Sequence, residues 1–172
     1  GLLELIPEVD IVARSDPDDR DGDGIRGQVN YAPSPTEGNV VKLGRFGWKS
    51  DAPSVADQTA IAFRNDMGLG TSAFPEGFGD CTEAQKACRA APDGAEGGDA
   101  EVPAKLFDLT VFYSRHLAVP AREGIGTPKI RRGQALFTEI GCAACHTPKQ
   151  VTGHHPDRPE LSLQTIWPYK IG

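Results

Sequence analysis

Apolar residues return at helical intervals in four stretches of this chain. The clearest runs from Glu101 to Leu117, where Val102, Leu106, Leu109, Tyr113 and His116/Leu117 step by fours and threes. That spacing predicts a helix whose apolar stripe faces the core. Pro103 lies near its start and Pro120 follows its end. His116 falls on the stripe and reads as a packed core histidine, with haem ligation as the alternative. Residues 53–66 form a second helical stretch. Pro53 suits a first turn, and Val55, Ala56, Thr59, Ala60 and Phe63 share a face that runs on to Asp66-Met67-Gly68. Leu2, Leu3, Leu5, Ile6, Val9 and Val12 predict two helical turns broken by Pro7. A last helix, Arg131 to Ile140, leads directly into Gly141-Cys142. Between these stretches, residues 28–50 and 118–130 read as turns and linker, and residues 89–100 as a flexible surface loop.

Composition agrees with short helices on long connections. In 172 residues the hydrophobic share is only 38%, while Gly (20) and Pro (14) are abundant. The expected fold class is therefore mainly α with long ordered loops rather than a sheet-rich core. A net charge of −6 argues against nucleic acid as a partner. No apolar run reaches membrane-spanning length. No secretory signal opens the chain. Gly1-Leu2-Leu3-Glu4-Leu5-Ile6-Pro7 reads as the middle of a helix, so an internal fragment or a processed chain is expected.

The chemistry concentrates in Cys142-Ala143-Ala144-Cys145-His146. Two thiols three positions apart followed at once by an imidazole form the attachment pattern of a covalent c-type haem. Each thiol adds across one porphyrin vinyl group, and the following His supplies the proximal iron ligand. The alternatives are a thioredoxin-like redox pair or half of a zinc site. No second Cys pair with zinc spacing and no βαβ pattern accompanies the motif. Haem attachment of this kind takes place outside the cytoplasm, so the protein is expected to be periplasmic or otherwise exported. Cys81 and Cys88 are then left to form a disulfide.

Three further features carry candidate chemistry. Asp19, Asp21, Asp23 and Gly24 fit the opening of a calcium loop, although its twelfth position is Asn30 rather than a bidentate Glu. A solvated acidic turn is the alternative. Met67, the single methionine, reads either as core filler or as the axial ligand of another haem. In Gly44-Arg45-Phe46-Gly47-Trp48-Lys49 the expected role of Trp48 is a packed core side chain, with electron relay as the alternative. Arg45 and Lys49 could meet haem propionates or form ordinary surface pairs.

Taken together, these residues resemble a family. Gly133-x-x-Leu136-Phe137 ahead of the haem motif looks like the first helix of a cytochrome c fold, and Leu109-x-x-Phe112-Tyr113-Ser114-Arg115-x-Leu117 looks like the last helix of one. With Asp16–Gly24, Gly44–Lys49, Gln58–Gly68, Cys81…Cys88, Leu117–Arg122, Cys142–Lys149 and Gln164–Tyr169, the chain resembles the di-haem oxidoreductase, putative peroxidase family, which is akin to di-haem cytochrome c peroxidases. The resemblance implies two cytochrome c-like haem domains. The rear part of the first would occupy residues 1–119, a linker 120–128, and the opening of the second 129–172.

It also implies that family members extend beyond both ends of this chain. A second haem c would be bound mainly by the upstream part, with Met67 as its axial ligand. An echo at constant offset, Pro53, Gln58, Thr59 and Phe63 against Pro159, Gln164, Thr165 and Tyr169, agrees with two related halves. The implied function is a peroxidase-like oxidoreductase moving electrons between two haems. The alternative is an electron-transfer cytochrome or a subunit of a larger cytochrome assembly. The expected partner is a redox protein or another cytochrome. Peroxide chemistry needs an acid–base group, and no residue is assigned to that role. Glu139, His154 and His155 lie near the motif, where a surface loop is the ordinary reading.

Overall fold

The computed structural model describes residues 1–95, 100–117 and 123–167. Its helices are α1 (Glu8–Val12), α2 (Val55–Met67), α3 (Lys86–Arg89), α4 (Ala104–His116), α5 (Pro128–Glu139) and α6 (Cys142–Cys145). Its strands are β1 (Tyr31–Ser34), β2 (Val40–Leu43), β3 (Gln150–Val151) and β4 (Thr165–Ile166). Helix dominates, in line with the apolar periodicity. Two compact units divide the chain: Asn30–Leu117 with Gly1, and Leu2–Val29 with the segment from Ala118 onward. The expected linker overlaps residues 118–122, which lie outside the described residues. Its end, Thr127-Pro128, is already the cap and first turn of α5.

In the first unit α2 packs against α4. Val55, Ala60, Val102, Phe107 and Val111 form the buried core, and Phe46, Phe63, Leu69 and Phe74 close over it. The Phe63 and Phe107 rings meet at 6.3 Å. The start of α2 is set by Ser54 rather than Pro53, because the Ser54 hydroxyl accepts from the Asp57 amide. Its end is set by Gly68, left-handed at φ 68°, whose amide donates to the Arg64 carbonyl while Leu69 donates to Phe63.

The face of α4 is a correction to the periodicity argument. Phe107 and Val111 are buried, whereas Leu106, Leu109, Tyr113 and Leu117 are 53%, 56%, 65% and 55% exposed. The helix has two apolar faces on roughly opposite sides. The longer run dominates the pattern, but the shorter one, carrying a bulky Phe, fills the space beside α2. His116 is half-buried instead of packed in a core; its Nδ1 lies 2.7 Å from the Phe112 carbonyl and its ring sits on the Phe112 ring at 4.2 Å.

Residues 28–50 contain a β-hairpin where only turns were expected. Strand β1 pairs antiparallel with β2, from Tyr31 opposite Leu43 to Ser34 opposite Val40. The connection uses Pro35 to start a 3₁₀ turn, then Gly38 and Asn39 at positive φ. Four-residue strands, one containing Pro33, leave little alternation to detect.

This hairpin is fastened to α2 through Asp57, which is fully buried. Its carboxylate accepts from the Ser34 hydroxyl (2.9 Å), the Thr36 amide (3.1 Å) and hydroxyl (2.7 Å), and the Ser54 hydroxyl (2.7 Å). Burial pushes the carboxyl pKa up, but the bonds from Ser54, Thr36 and Ser34 outweigh it and hold it below the ordinary value.

The second unit joins segments far apart in sequence. Leu5 and Ile6 are buried in the N-terminal segment. The Gly153 amide donates to the Leu5 carbonyl at 2.7 Å, and Arg158 pairs with Glu4 at 3.4 Å. Buried Thr152 knits the loop after the Cys-x-x-Cys-His motif: its hydroxyl donates to the Leu161 carbonyl and accepts from the Gln164 amide. The sequence echo is not matched by shared secondary structure, since Gln58 lies within α2 and Gln164 directly precedes β4.

Replacing Asp57 with Ala leaves the Ser34, Thr36 and Ser54 donors without their shared acceptor. The expected cost is about 2–4 kcal/mol, read as a lower urea midpoint. Because the folded carboxyl titrates below its unfolded value, its stabilisation is complete above about pH 4 and is lost as pH falls through the folded value. The gap between wild type and Asp57→Ala should therefore narrow in acid; a gap that stays constant contradicts this account.

Candidate functional site

The Cys-x-x-Cys-His segment is delivered by α5. Thr127 caps that helix by accepting from the Ile130 amide, and Pro128 occupies its first turn, so it begins three residues before the expected Arg131. After α5 the chain turns at Gly141, φ 86°, a conformation that favours glycine. The Gly141 amide donates to the Thr138 carbonyl at 3.1 Å. A single helical turn, α6, follows. Ala144 donates to Gly141 (3.1 Å) and His146 to Cys142 (2.9 Å).

In that turn Cys142 and Cys145 sit at i and i+3, which places the two thiols on one side of it, and His146 follows at once as its C-terminal cap. Both thiols are free; Cys142 is half-buried and Cys145 exposed. The His146 side chain is exposed to solvent, its ring edge-to-face with Phe137 at 5.9 Å between ring centroids. Leu136 and Ile140, on α5 and just after it, are 36% and 70% exposed. Two reachable thiols, an adjacent imidazole and uncovered apolar side chains fit the requirements of a covalently attached porphyrin.

The acidic loop in the same unit is closed by an antiparallel bridge between Asp16 and Gly27. Carboxylate oxygens of Asp19, Asp21 and Asp23 lie within 4.8 Å of one another. Each also accepts a backbone amide: Gly24 to Asp19, Asp23 to Asp21, and Ile25 to Asp23. Positive φ at Asp19, Gly22 and Gly24 lets the chain wind tightly enough for this. Asp16 stands behind the loop, and its pKa is lowered, chiefly by the Arg20 amide and further by the Asp21 amide and the Arg20 side chain. Asn30 uses its amide group elsewhere, donating to the Lys49 and Ser50 carbonyls.

Met67 belongs to the first unit. It ends α2 with its residue surface 54% exposed, so it is not core filler. Its backbone surroundings are tightly held. A Cβ on Gly79 would lie 2.8 Å from the Arg64 carbonyl oxygen and 3.4 Å from Gly68 Cα. The Arg64 Nε donates to the Gly79 carbonyl, and its guanidinium lies over the Phe74 ring at 4.9 Å. Cys81 and Cys88 form a disulfide across the same region, and Arg89 lies over the Phe78 ring at 4.4 Å.

Trp48 corrects the expectation of a core residue. It is 96% exposed on the turn after Gly47, φ 82°, which is held by the Asn30 bonds and by pairing of Phe46 with Ala52. Its aromatic size suggested burial, but a side chain at the tip of such a turn points away from any core. Of the residues near the motif in sequence, exposed Glu139 pairs with Arg132 at 3.4 Å and His154 is exposed. His155 is half-buried, and its Nδ1 has no hydrogen-bond partner among the described residues.

Sequence reasoning did not single out Asp57 or Glu101, two carboxylates that each gather donors from separate segments. Ser54 three positions before Asp57 was a readable sign of the first, as a helix cap. Glu101 had no local sign, because its partners are the backbone amides of two glycines, Gly70 and Gly94.

Comparison with known proteins places the chain. No curated protein and no solved structure matches it. A family model described as di-haem oxidoreductase, putative peroxidase, matches residues 1–171. That match spans both units and includes the Cys142–His146 turn, so the chain belongs to the di-haem oxidoreductase, putative peroxidase family.

Proposed function

We propose that the protein is an exported c-type di-haem oxidoreductase that passes electrons between two haems and reduces a peroxide-like oxidant. The single observation that carries this reading is the α6 turn, with two free thiols one helical turn apart and His146 directly after them, in a chain of a di-haem family. Cys142 and Cys145 are assigned the thioether links and His146 the proximal iron position. Met67 is assigned an axial position on the other haem, which is supported by its exposed place at the end of α2. Haem held by these residues would supply one-electron chemistry and a site for the oxidant.

This reading includes two cytochrome c-like domains. The rear part of the first is assigned to residues 1–119, the connection to 120–128, and the opening of the second to 129–172. Uncovered apolar faces support it: Leu106, Leu109 and Tyr113 on α4, and Leu136 and Ile140 around α5, suit chain that folds around a porphyrin. The Cys81–Cys88 disulfide supports an oxidising, exported location, periplasmic if the cell is bacterial. The expected partner is a redox protein or another cytochrome. The converging Asp19, Asp21 and Asp23 oxygens are assigned a calcium ion.

Three measurements check these assignments. The mass of the denatured polypeptide should include covalent haem, and Cys142→Ser or Cys145→Ser should leave a singly linked haem; a mass without haem removes the reading. Electron paramagnetic resonance of the oxidised protein should show a high-spin component that changes on adding peroxide. Two low-spin haems indifferent to peroxide would instead establish an electron-transfer cytochrome. Chelation should lower thermal stability by about 2–3 kcal/mol if calcium was held at a hundredfold excess over Kd. Asp21→Asn should abolish that loss, and an unchanged melting curve would remove the ion.

A further inference from the structure

We propose that Glu101 is the positioning residue for Met67: its carboxylate clamps the backbone that follows Met67 and so fixes where the thioether is presented. The inference rests on the assignment of Met67 as an axial ligand. Met67 closes α2, and the chain then makes a left-handed turn at Gly68 and runs through Leu69 to Gly70. The Gly70 amide donates to Glu101 Oε2 at 2.7 Å, and the Gly94 amide donates to Oε1 at 2.6 Å. One carboxylate therefore ties the turn after Met67 to the loop that follows the Cys81–Cys88 bridge. The next residue completes the clamp, because the Val102 amide donates to the Gly70 carbonyl at 2.9 Å. Gly70 is thus held on both its amide and its carbonyl by consecutive residues just ahead of α4.

The surroundings are built to this arrangement. A Cβ on Gly77 would lie 3.0 Å from Glu101 Oε2 and 2.5 Å from Asp93 Cβ, so the loop passes the carboxylate where only glycine fits without a shift. Thr71, fully buried, exchanges backbone bonds with Phe74 immediately beyond Gly70. Bonds from two amides to an ionised carboxylate are stronger than neutral ones, and both hold the Glu101 pKa down, Gly70 first and Gly94 second. A ligand on a free helix end would sample many positions, whereas an axial thioether must stay within bonding distance of iron. The clamp restricts the backbone, while the exposed side chain stays available.

The test uses the haem-loaded protein and three variants: Met67→Ala, Glu101→Gln and Gly77→Ala. Two readouts are followed, the red charge-transfer band of methionine-ligated ferric haem and hydrogen exchange at the Gly70 amide. Met67→Ala should abolish the band. Glu101→Gln should weaken it and speed Gly70 exchange about tenfold, the equivalent of one charge-assisted hydrogen bond, with Met67 still in place. Gly77→Ala, which keeps the carboxylate but displaces it, should weaken the band in the same way and serves if Glu101→Gln does not accumulate. If Met67→Ala abolishes the band while both clamp variants retain it in full, the role of Glu101 is overturned and the Met67 assignment stands. If Met67→Ala leaves the band intact, the Met67 assignment falls and the inference with it.

Discussion

The Asn30–Leu117 unit depends first on a buried carboxylate. Asp57 gathers hydrogen bonds from Ser34 at the end of β1, from Thr36 in the hairpin connection and from Ser54 at the α2 cap. An unpaired charge at that depth would be strongly destabilising, so its neighbours must supply donors together or the arrangement fails. The requirement fixes the hairpin and the start of α2 relative to each other. With α2 anchored, Val55 and Ala60 are directed at Phe107 and Val111 of α4, and the rest of the core closes around them. The far end of α2 is then held by other means: the Gly68 turn, the Arg64–Gly79 bond and the Glu101 contact with Gly70.

Much of the helical content was legible in the sequence, because spacing of apolar side chains is a local property. The helices at α2, α4 and α5 appear close to where periodicity puts them, and differences at their starts trace to single capping residues, Ser54 and Thr127. What periodicity could not supply was the choice between faces. On α4 the run Leu106, Leu109, Tyr113 and Leu117 is as regular as any buried stripe, yet it is Phe107 and Val111 that meet α2. Selecting a face depends on the partner's shape, and that information lies some fifty residues upstream. The short hairpin and the joining of Leu5 to Gly153 were hidden for a similar reason, since backbone hydrogen bonds carry no side-chain signature.

The candidate site divides along the same line. Cys142, Cys145 and His146 could be nominated from sequence because covalent attachment and ligation would demand a fixed local order, and the structure gives them a single helical turn followed by its cap. The three aspartates were legible for a like reason, as alternate carboxylates on a tight turn. Trp48 was not: residue type alone suggested a core position, and only the positive φ at Gly47 shows why it stands clear. Glu101 was invisible, since its partners at Gly70 and Gly94 are glycine amides with no side chain to mark them.

Low hydrophobic content and uncovered apolar faces are usually opposing signs, the first of a sparse core and the second of surplus apolar surface. They are reconciled if the large apolar surface missing from the side chains is supplied by porphyrin. A chain with 38% hydrophobic residues still leaves Leu109, Tyr113 and Ile140 largely exposed. Such residues cost solubility unless something covers them. On the proposed reading, a ring carried by each unit would remove that cost by covering the apolar side chains of that unit. Low polarity around iron in turn influences its redox potential and ligand preference. On the proposed reading the exposed face of α4, with the clamped turn at Met67, and the exposed residues around α5 each answer to the same demand within their own unit: a frame of few residues whose core a cofactor would complete.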